Sequence, residues 1–410
     1  MKILVGTNEN CGILNGIVLG LKELGHEVKS FVKSRDNFFP EIRYDYDLTK
    51  ESVAPKIFSE VPVLRGLEFR LRNTSLKRTI RRIFQKELLD FDAYIFTWGS
   101  VLPNLEDLRI LRKLGKKIAF IFIGSEARYY GAFKQQYPDI NITLPDDYYL
   151  KDDLNKKIKF IRTIELLADS IHALPDLSGL FIRPFHPTYV PYVLKGEPAQ
   201  PRHNSRVRIL HAPSNRDLKG TRLITQTVEG LKGEGLDFEF EILEKKPNSV
   251  VLEELKNSDI AIDQIYLHYP GIFATEGMAM GCAVGTKIFE SGPEAIFSPP
   301  ICNLDENNLK DQLRKLIQDQ EYRLAFAKSG RDFVQKNNAP SWVAGKIIDG
   351  LTGNQTPHFS PTFFCEKFVL NKGTTLSDEV KSLNKEVVEK YAEKKMVPVY
   401  LDSLRKRELV

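Results

Sequence analysis

Residues 258–285, SDIAIDQIYLHYPGIFATEGMAMGCAVG, leave the chain few architectures to choose from. Two short, continuously apolar runs, Ile260-Ala261-Ile262 and Cys282-Ala283-Val284, have the character of parallel strands buried on both faces. Asp263-Gln264 ends the first run, and residues 266–271 supply a loop. From Phe273, small and apolar side chains recur at helical spacing (Phe273, Ala274, Gly277, Met278) until Gly281 stops the helix. A strand, loop, helix and strand in this order predict an open α/β sheet. Ligands of such sheets sit beyond the carboxyl ends of the strands, where unpaired helix N–H groups attract anions. The amides of Phe273, Ala274 and Thr275 are therefore candidate anion donors. Glu276, read as lying in the first turn, can offer two oxygens to a vicinal diol such as a ribose; an acid there also complements the helix dipole with no ligand at all.

The same alternation runs through the rest of the chain. Residues 2–5 (KILV), a helix over 16–24 and a strand over 27–32 make a Rossmann-like opening, although the loop at 6–12 lacks G-x-G-x-x-G. Further strands are expected at 93–97 and 118–123, joined by a helix through 105–114. Residues 195–206 (KGEPAQPRHNSR) are polar, contain prolines and read as an interdomain linker. The expected organisation is an α/β chain with one Rossmann-like domain over 1–195, a linker over 196–206 and a second such domain over 207–351. An extension over 352–410 opens with Phe359, Phe363, Phe364 and Phe368 and ends in helical segments at 377–394 and 401–409.

The first loop of the second domain, residues 211–221 (HAPSNRDLKGT), carries the other half of the chemistry. A guanidinium presents a planar fork to phosphate oxygens and an ammonium adds a compact charge, so Arg216 and Lys219 are candidates for binding phosphate, or simply two solvated cations. The intervening strand over 238–243 and helix over 250–256 bring this loop and the Glu276 segment to one sheet edge.

The pattern Gly271-x-x-x-x-Glu276-Gly277-Met278-Ala279-x-Gly281-x-x-Val284 resembles the nucleotide-sugar motif of retaining GT-B glycosyltransferases, especially glycosyltransferase family 4, and Arg216 with Lys219-Gly220 resembles that family's diphosphate clamp. The resemblance implies a GT-B fold, two Rossmann-like domains facing a cleft, and transfer of a hexose-type sugar from a nucleoside diphosphate to an alcohol acceptor, without a metal or other cofactor. It implies Arg216 and Lys219 as catalytic residues stabilising the leaving diphosphate. On the donor side it implies Glu276, Gly271, Phe273, Ala274, Thr275, His268 and Asp263. On the acceptor side it implies Asn8, Asn10 and Gly12 of the first loop, and Ser125, Glu126 and Arg128 in the G-S-E-A-R segment. His268 stands where many members have a first glutamate, Ala283 replaces a proline, and Ile121 and Ile123 stand where members have histidines. A GT-B-shaped module without turnover and a nucleotide-sugar epimerase are the rival readings.

Composition narrows the setting. Among 410 residues, 42% hydrophobic and 28% charged describe an ordinary globular chain, and a net charge of +5 favours anionic ligands without demanding nucleic acid. The four cysteines, Cys11, Cys282, Cys302 and Cys365, show no metal-ligand spacing, and no apolar stretch reaches the length of a membrane span. The expected location is cytoplasmic. Eight cations between Arg65 and Lys86 face a single acid, Glu68, with apolar residues at partly helical spacing. This predicts either a solvated helix packed on the first domain or a peripheral contact with an anionic inner membrane face and a lipid-linked or glycan acceptor. The D-x-D at Asp45 and Asp47 reads as a polar loop or edge strand, and His172 as a packed residue.

Overall fold

The computed structural model describes residues 1–36, 39, 41–49, 62–140, 153–194, 206–290, 297–357, 375–395, 402, 405 and 406, the backbone alone at 62–73 and 392–395. Nearly all of the linker reading, the four extension phenylalanines and most of the helix expected at 401–409 lie outside the described residues.

Among the described residues, the first domain is built on a parallel sheet of seven strands: β1 (Lys2–Glu9), β2 (Glu27–Arg35), β3 (Tyr46–Asp47), β4 (Ala93–Thr97), β5 (Lys117–Phe122), β6 (Ser170–Ala173) and β7 (His186–Pro187). Their order is β3-β2-β1-β4-β5-β6-β7, so the direction of winding reverses between β1 and β4. The second sheet holds β8 (Val207–His211), β9 (Phe238–Ile242), β10 (Ile260–Ile262), β11 (Ala283–Thr286) and β12 (Cys302–Asn303) in the order β12-β11-β10-β8-β9, and reverses between β8 and β10. Every pair in both sheets is parallel. The continuous apolar runs follow from that: β4 is buried at all five residues, because helices cover both faces.

The helices are α1 (Ile13–Glu23), α2 (Pro62–Glu87), α3 (Glu106–Lys113), α4 (Tyr130–Gln136), α5 (Leu154–Leu167), α6 (Arg216–Lys219), α7 (Thr221–Gly233), α8 (Asn248–Lys256), α9 (Ile272–Ala279), α10 (Leu309–Gln318), α11 (Gln320–Asn337), α12 (Pro340–Thr352) and α13 (Asp378–Lys395). Two of them cross between the domains. Although α4 lies between β5 and β6 of the first sheet, Tyr130, Phe133 and Tyr137 are buried in the second domain's core. Although α12 follows the second sheet, Val343, Ala344, Ile347 and Leu351 belong to the first core. A Cβ on Gly20 of α1 would stand 2.0 Å from the Pro340 carbonyl oxygen, so only glycine admits α12 this close.

Within the extension, α13 packs on the first domain as well. Val380, Val387 and Tyr391 of α13 enter its core, and the fully buried Arg162 of α5 donates Nε–H to Asn384 Oδ1 at 2.6 Å and Nη1–H to Glu165 at 2.7 Å.

In α2, Ile80 and Phe84 are buried, while Lys77, Arg78, Arg81, Arg82 and Lys86 are exposed, Arg81 pairing with Glu106. One face is therefore packed on its own domain and the cations stand in solvent, as both readings of this helix require; the side chains of Arg65, Arg70 and Arg72 lie outside the described residues. Tyr46-Asp47 forms the edge strand β3, and Asp45 accepts from Lys29 and Ser30. His172 is wholly buried and stacks on His186.

Candidate functional site

The reversal between β8 and β10 places the loops after these two strands on either side of a crevice, the usual ligand position in an open α/β sheet. At the end of β8 the buried His211 ring contacts the Ile262 carbonyl at 2.7 Å and Thr221 Oγ1 at 2.9 Å, tying β8 to β10 and to the start of α7. Burial lowers its pKa to about 4, so the ring is neutral. The chain then makes one helical turn, α6, whose Leu218 amide is capped by Asn215 Oδ1. Gly220 follows at φ 78°, with Ile265 and Tyr266 about its Cα so closely that an added Cβ would meet them at 3.1 and 3.2 Å. This tight exit turns Lys219 across the crevice.

Lys219 Nζ donates to Asp263 Oδ1 at 2.5 Å and to Gln264 Oε1 at 2.9 Å, both on the loop after β10. The other oxygen of Asp263 accepts from the Gly271 amide at 2.7 Å. Arg216, at the opposite end of α6, is 55% exposed and donates Nη1–H to Glu244 at 2.7 Å. The pair is thus divided, with a nearly buried ammonium in the crevice and a guanidinium on its rim.

The α9 segment departs from expectation in two respects. The helix starts at Ile272 with Gly271 as its N-cap, so Glu276 is the fifth residue and lies in the second turn, beyond the reach of a first-turn dipole effect. Thr275 is not an anion donor, because its amide closes the helix's first bond to the Gly271 carbonyl at 3.2 Å. The Gly271 amide is committed to Asp263, leaving Ile272 and the predicted Phe273 and Ala274 as the amides without a partner inside the helix.

Glu276 is 3% exposed and accepts from Asn248 Nδ2 at 2.6 Å. Burial raises its pKa to about 7; the Asn248 bond opposes the rise and the charge of Asp263 adds to it. Burial pushes up the pKa values of Tyr192 and of Cys11, in the first domain's opening loop, and the charge of Glu276 adds to both, after that of Asp36 at Cys11. Glu276 therefore faces the first domain. Asn248 was missed by sequence reasoning; a lone asparagine opening a helix carries no signal of its contact twenty-eight residues away.

On the first domain's side, β1 extends to Glu9, so Asn8 is a strand residue and its carbonyl accepts from Thr97 Oγ1 at 3.1 Å. The Asn10 carbonyl accepts from the Ile13 amide at 3.1 Å, and Gly12, at φ 80°, is the N-cap residue of α1. Glu9, also unforeseen, is buried and accepts from Tyr44 Oη at 2.7 Å and the Asn15 amide at 2.9 Å; burial raises its pKa.

In the G-S-E-A-R segment, Glu126 Oε1 accepts from the amides of Ile123 and Gly124, while its buried Oε2 has no hydrogen-bond partner among the described residues. Burial holds its pKa up at about 6. The Ser125 carbonyl accepts from Lys157, and Arg128 pairs with Asp176 at 2.7 Å. His268, from the second domain, stacks on Phe289 at 4.8 Å; burial, then Lys287 and Arg128, push its pKa down to about 3. The field of Arg128 at His268, like that of Glu276 at Cys11, links the two faces of one cleft. Among the described residues no group of three or more His, Cys, Asp or Glu side chains is placed to hold a metal ion.

No family model matches the sequence. No curated protein matches it either. Solved structures do. Sucrose-phosphate synthase from Thermosynechococcus elongatus superposes with a TM-score of 0.55 at 13% identity, over 87% of this chain and 100% of that one. HepE of Anabaena, solved in complex with UDP-glucose, superposes with a TM-score of 0.50 at 10% identity, over 86% and 100%. At such identities the likeness speaks for architecture: two parallel α/β domains across a cleft with helices returning from the carboxyl end, which is the GT-B fold.

Proposed function

We propose that the chain transfers a hexose-type sugar, with retention at the anomeric carbon, from a nucleoside diphosphate to an alcohol acceptor such as a growing or lipid-linked glycan. One observation carries this reading: cationic side chains and a buried carboxylate meet around the β8/β10 reversal. Lys219 comes from the segment after β8, Asp263 and Gly271 from the loop after β10, while Glu244, just after β9, holds Arg216 and Asn248, opening α8, holds Glu276. The fold shared with HepE, whose structure holds UDP-glucose, supports a nucleotide sugar as ligand and makes UDP the first nucleotide to test.

Breaking the sugar–phosphate bond puts charge on the departing diphosphate, so catalysis needs positive groups already in place. An ammonium has three donors. Asp263 and Gln264 take two from Lys219, and the third is left for a phosphate oxygen. Arg216, on the rim, exchanges Glu244 for the second phosphate, and the leading amides of α9 add donors without needing a metal. Glu276 accepts hydrogen bonds from the ribose diol. Glu126 offers its uncommitted oxygen to the acceptor hydroxyl across the cleft, with Ser125, Arg128, Asn8, Asn10 and Gly12 around it.

A thermal-shift screen against UDP, GDP, ADP and their sugars tests binding, followed by assay of the stabilising donor for slow release of its diphosphate and NMR of the product anomer. Diphosphate release with retained configuration is expected. A changed sugar still joined to its diphosphate would indicate an epimerase, binding without turnover a non-catalytic module, and no stabilisation by any nucleotide would end the reading. The exposed cations of α2 support a peripheral contact with anionic lipid; vesicle sedimentation that ignores lipid charge would remove it.

A further inference from the structure

We infer that Asp263 is a positioning residue, an internal counter-ion that competes with the diphosphate for Lys219 and so speeds release of the diphosphate product. The inference rests on the reading above. Asp263 is 1% exposed, and both of its oxygens are used. Oδ1 holds the Lys219 ammonium at 2.5 Å and Oδ2 the Gly271 amide at 2.7 Å. One carboxylate thus engages the two kinds of group that would otherwise be offered to an anion, the cation of α6 and the amide leading into α9. It does so from the opposite side of the sheet reversal, where the ligand belongs.

Gln264 makes the arrangement durable. Its Oε1 accepts from Lys219, its Nε2 donates to the Tyr269 carbonyl at 2.5 Å, and its backbone carbonyl accepts from the Lys287 amide and Thr286 Oγ1. The lysine is therefore held in the crevice when no ligand is present, with one N–H to spare. A bound diphosphate draws the ammonium toward itself; when the sugar has left, Asp263 draws it back.

Gly271 supplies an independent handle. Its backbone, at φ −82° and ψ −176°, suits any residue, yet a Cβ there would stand 3.1 Å from Asp263 Oδ2 and 3.2 Å from Lys219 Nζ. Gly271→Ala wedges the carboxylate and ammonium apart without straining the chain.

The test measures inorganic pyrophosphate binding by calorimetry to the full chain and to Asp263→Asn, Lys219→Met, the double variant and Gly271→Ala. Lys219→Met is expected to bind at least tenfold more weakly. Asp263→Asn is expected to bind threefold or more tightly, with slower dissociation and, once a donor is known, a lower kcat limited by product release. That gain should shrink in the Lys219→Met background, because the competition runs through the lysine. A merely structural Asp263 would instead lose affinity in Asp263→Asn. Unchanged or weaker binding in both Asp263→Asn and Gly271→Ala, or an equal gain with and without the lysine, would overturn the inference while leaving the nucleotide-sugar reading intact. A wild-type chain that binds neither pyrophosphate nor any nucleoside diphosphate would overturn both. Should Asp263→Asn fail to fold, Gly271→Ala carries the same expectation of tighter binding, and unchanged or weaker binding there would by itself overturn the inference.

Discussion

Asn248 Nδ2 donates to Glu276 Oε1 at 2.6 Å, joining the first residue of α8 to a carboxylate in the second turn of α9. The contact satisfies one oxygen of a buried acid and fixes the direction in which the other points. With Arg216 bonded to Glu244 a few residues before Asn248, the rim cation and the buried acid are tied to the same short segment.

Glu276 should make both folding and nucleotide binding depend on pH, in opposite senses. Its pKa rises from the ordinary glutamate value of 4.5 to about 7 in the fold, so the folded state holds the extra proton between those values. The associated stability is present below pH 4.5 and is lost as pH rises toward 7, on the order of 3 kcal/mol in total. Glu276→Gln should flatten that part of the stability profile, measured by urea denaturation from about pH 5 to 8. Binding of a diol to the ionised carboxylate should strengthen over the same interval in the wild-type protein and not in Glu276→Gln, as calorimetry at about pH 6 and pH 8 would show.

Lys219 and Arg216 should contribute unequally. Charge-assisted contacts are worth about 1.5–3 kcal/mol, most where water is excluded. Lys219 is 14% exposed and Arg216 55%, so Lys219→Met should approach the upper figure for diphosphate affinity and Arg216→Ala the lower. Raising the salt concentration should weaken the contribution of Arg216 more, because its charge lies in solvent. Titrations of each variant at two ionic strengths would separate them.

The bridge made by α4 should govern how firmly the domains are joined. Phe133, 2% exposed, lies 5.0 Å from the Tyr137 ring, and Tyr137 meets Tyr266 at 4.9 Å. Tyr137 Oη also accepts from Lys287 at 2.8 Å, and Lys287 pairs with Glu306. Phe133→Ala should cost about 3 kcal/mol or more. Small-angle scattering should then show an expanded particle, whereas a radius identical to the wild type would mean that α4 does not set the domain spacing.

Asn384 should anchor α13. Its side-chain oxygen is the partner of Arg162 Nε, and Arg162 is wholly buried. Asn384→Ala leaves part of a buried guanidinium without its acceptor, at a cost of about 2 kcal/mol. Limited proteolysis should cleave near α13 sooner than in the wild-type chain, while diphosphate binding in the distant cleft is unchanged.

Much of the fold was legible because buried parallel strands need continuous apolar runs. IAI, CAV, AYIFT and IAFIFI are such runs, and each falls on a strand, although Cys282 stands just before β11 and Ile123 just after β5. Strand ends were less legible: β1 continues through Thr7, Asn8 and Glu9, where polar side chains hide the pairing with β2. The start of α9 was misplaced by one residue because Ile272 suits a helix or a loop equally, and that single residue moved Glu276 out of the first turn.

The alternation of strands and helices, the two cationic positions after β8 and the acid after β10 follow from periodicity and residue type, which are local properties of the chain. That Asp263 holds Lys219, that Asn248 reaches Glu276, that α4 belongs to the second core and that α12 and α13 belong to the first emerge from the folded arrangement. Those outcomes depend on strand order and on the close approach of residues far apart in sequence. Both arise when apolar faces are buried together, and no short window of sequence records them.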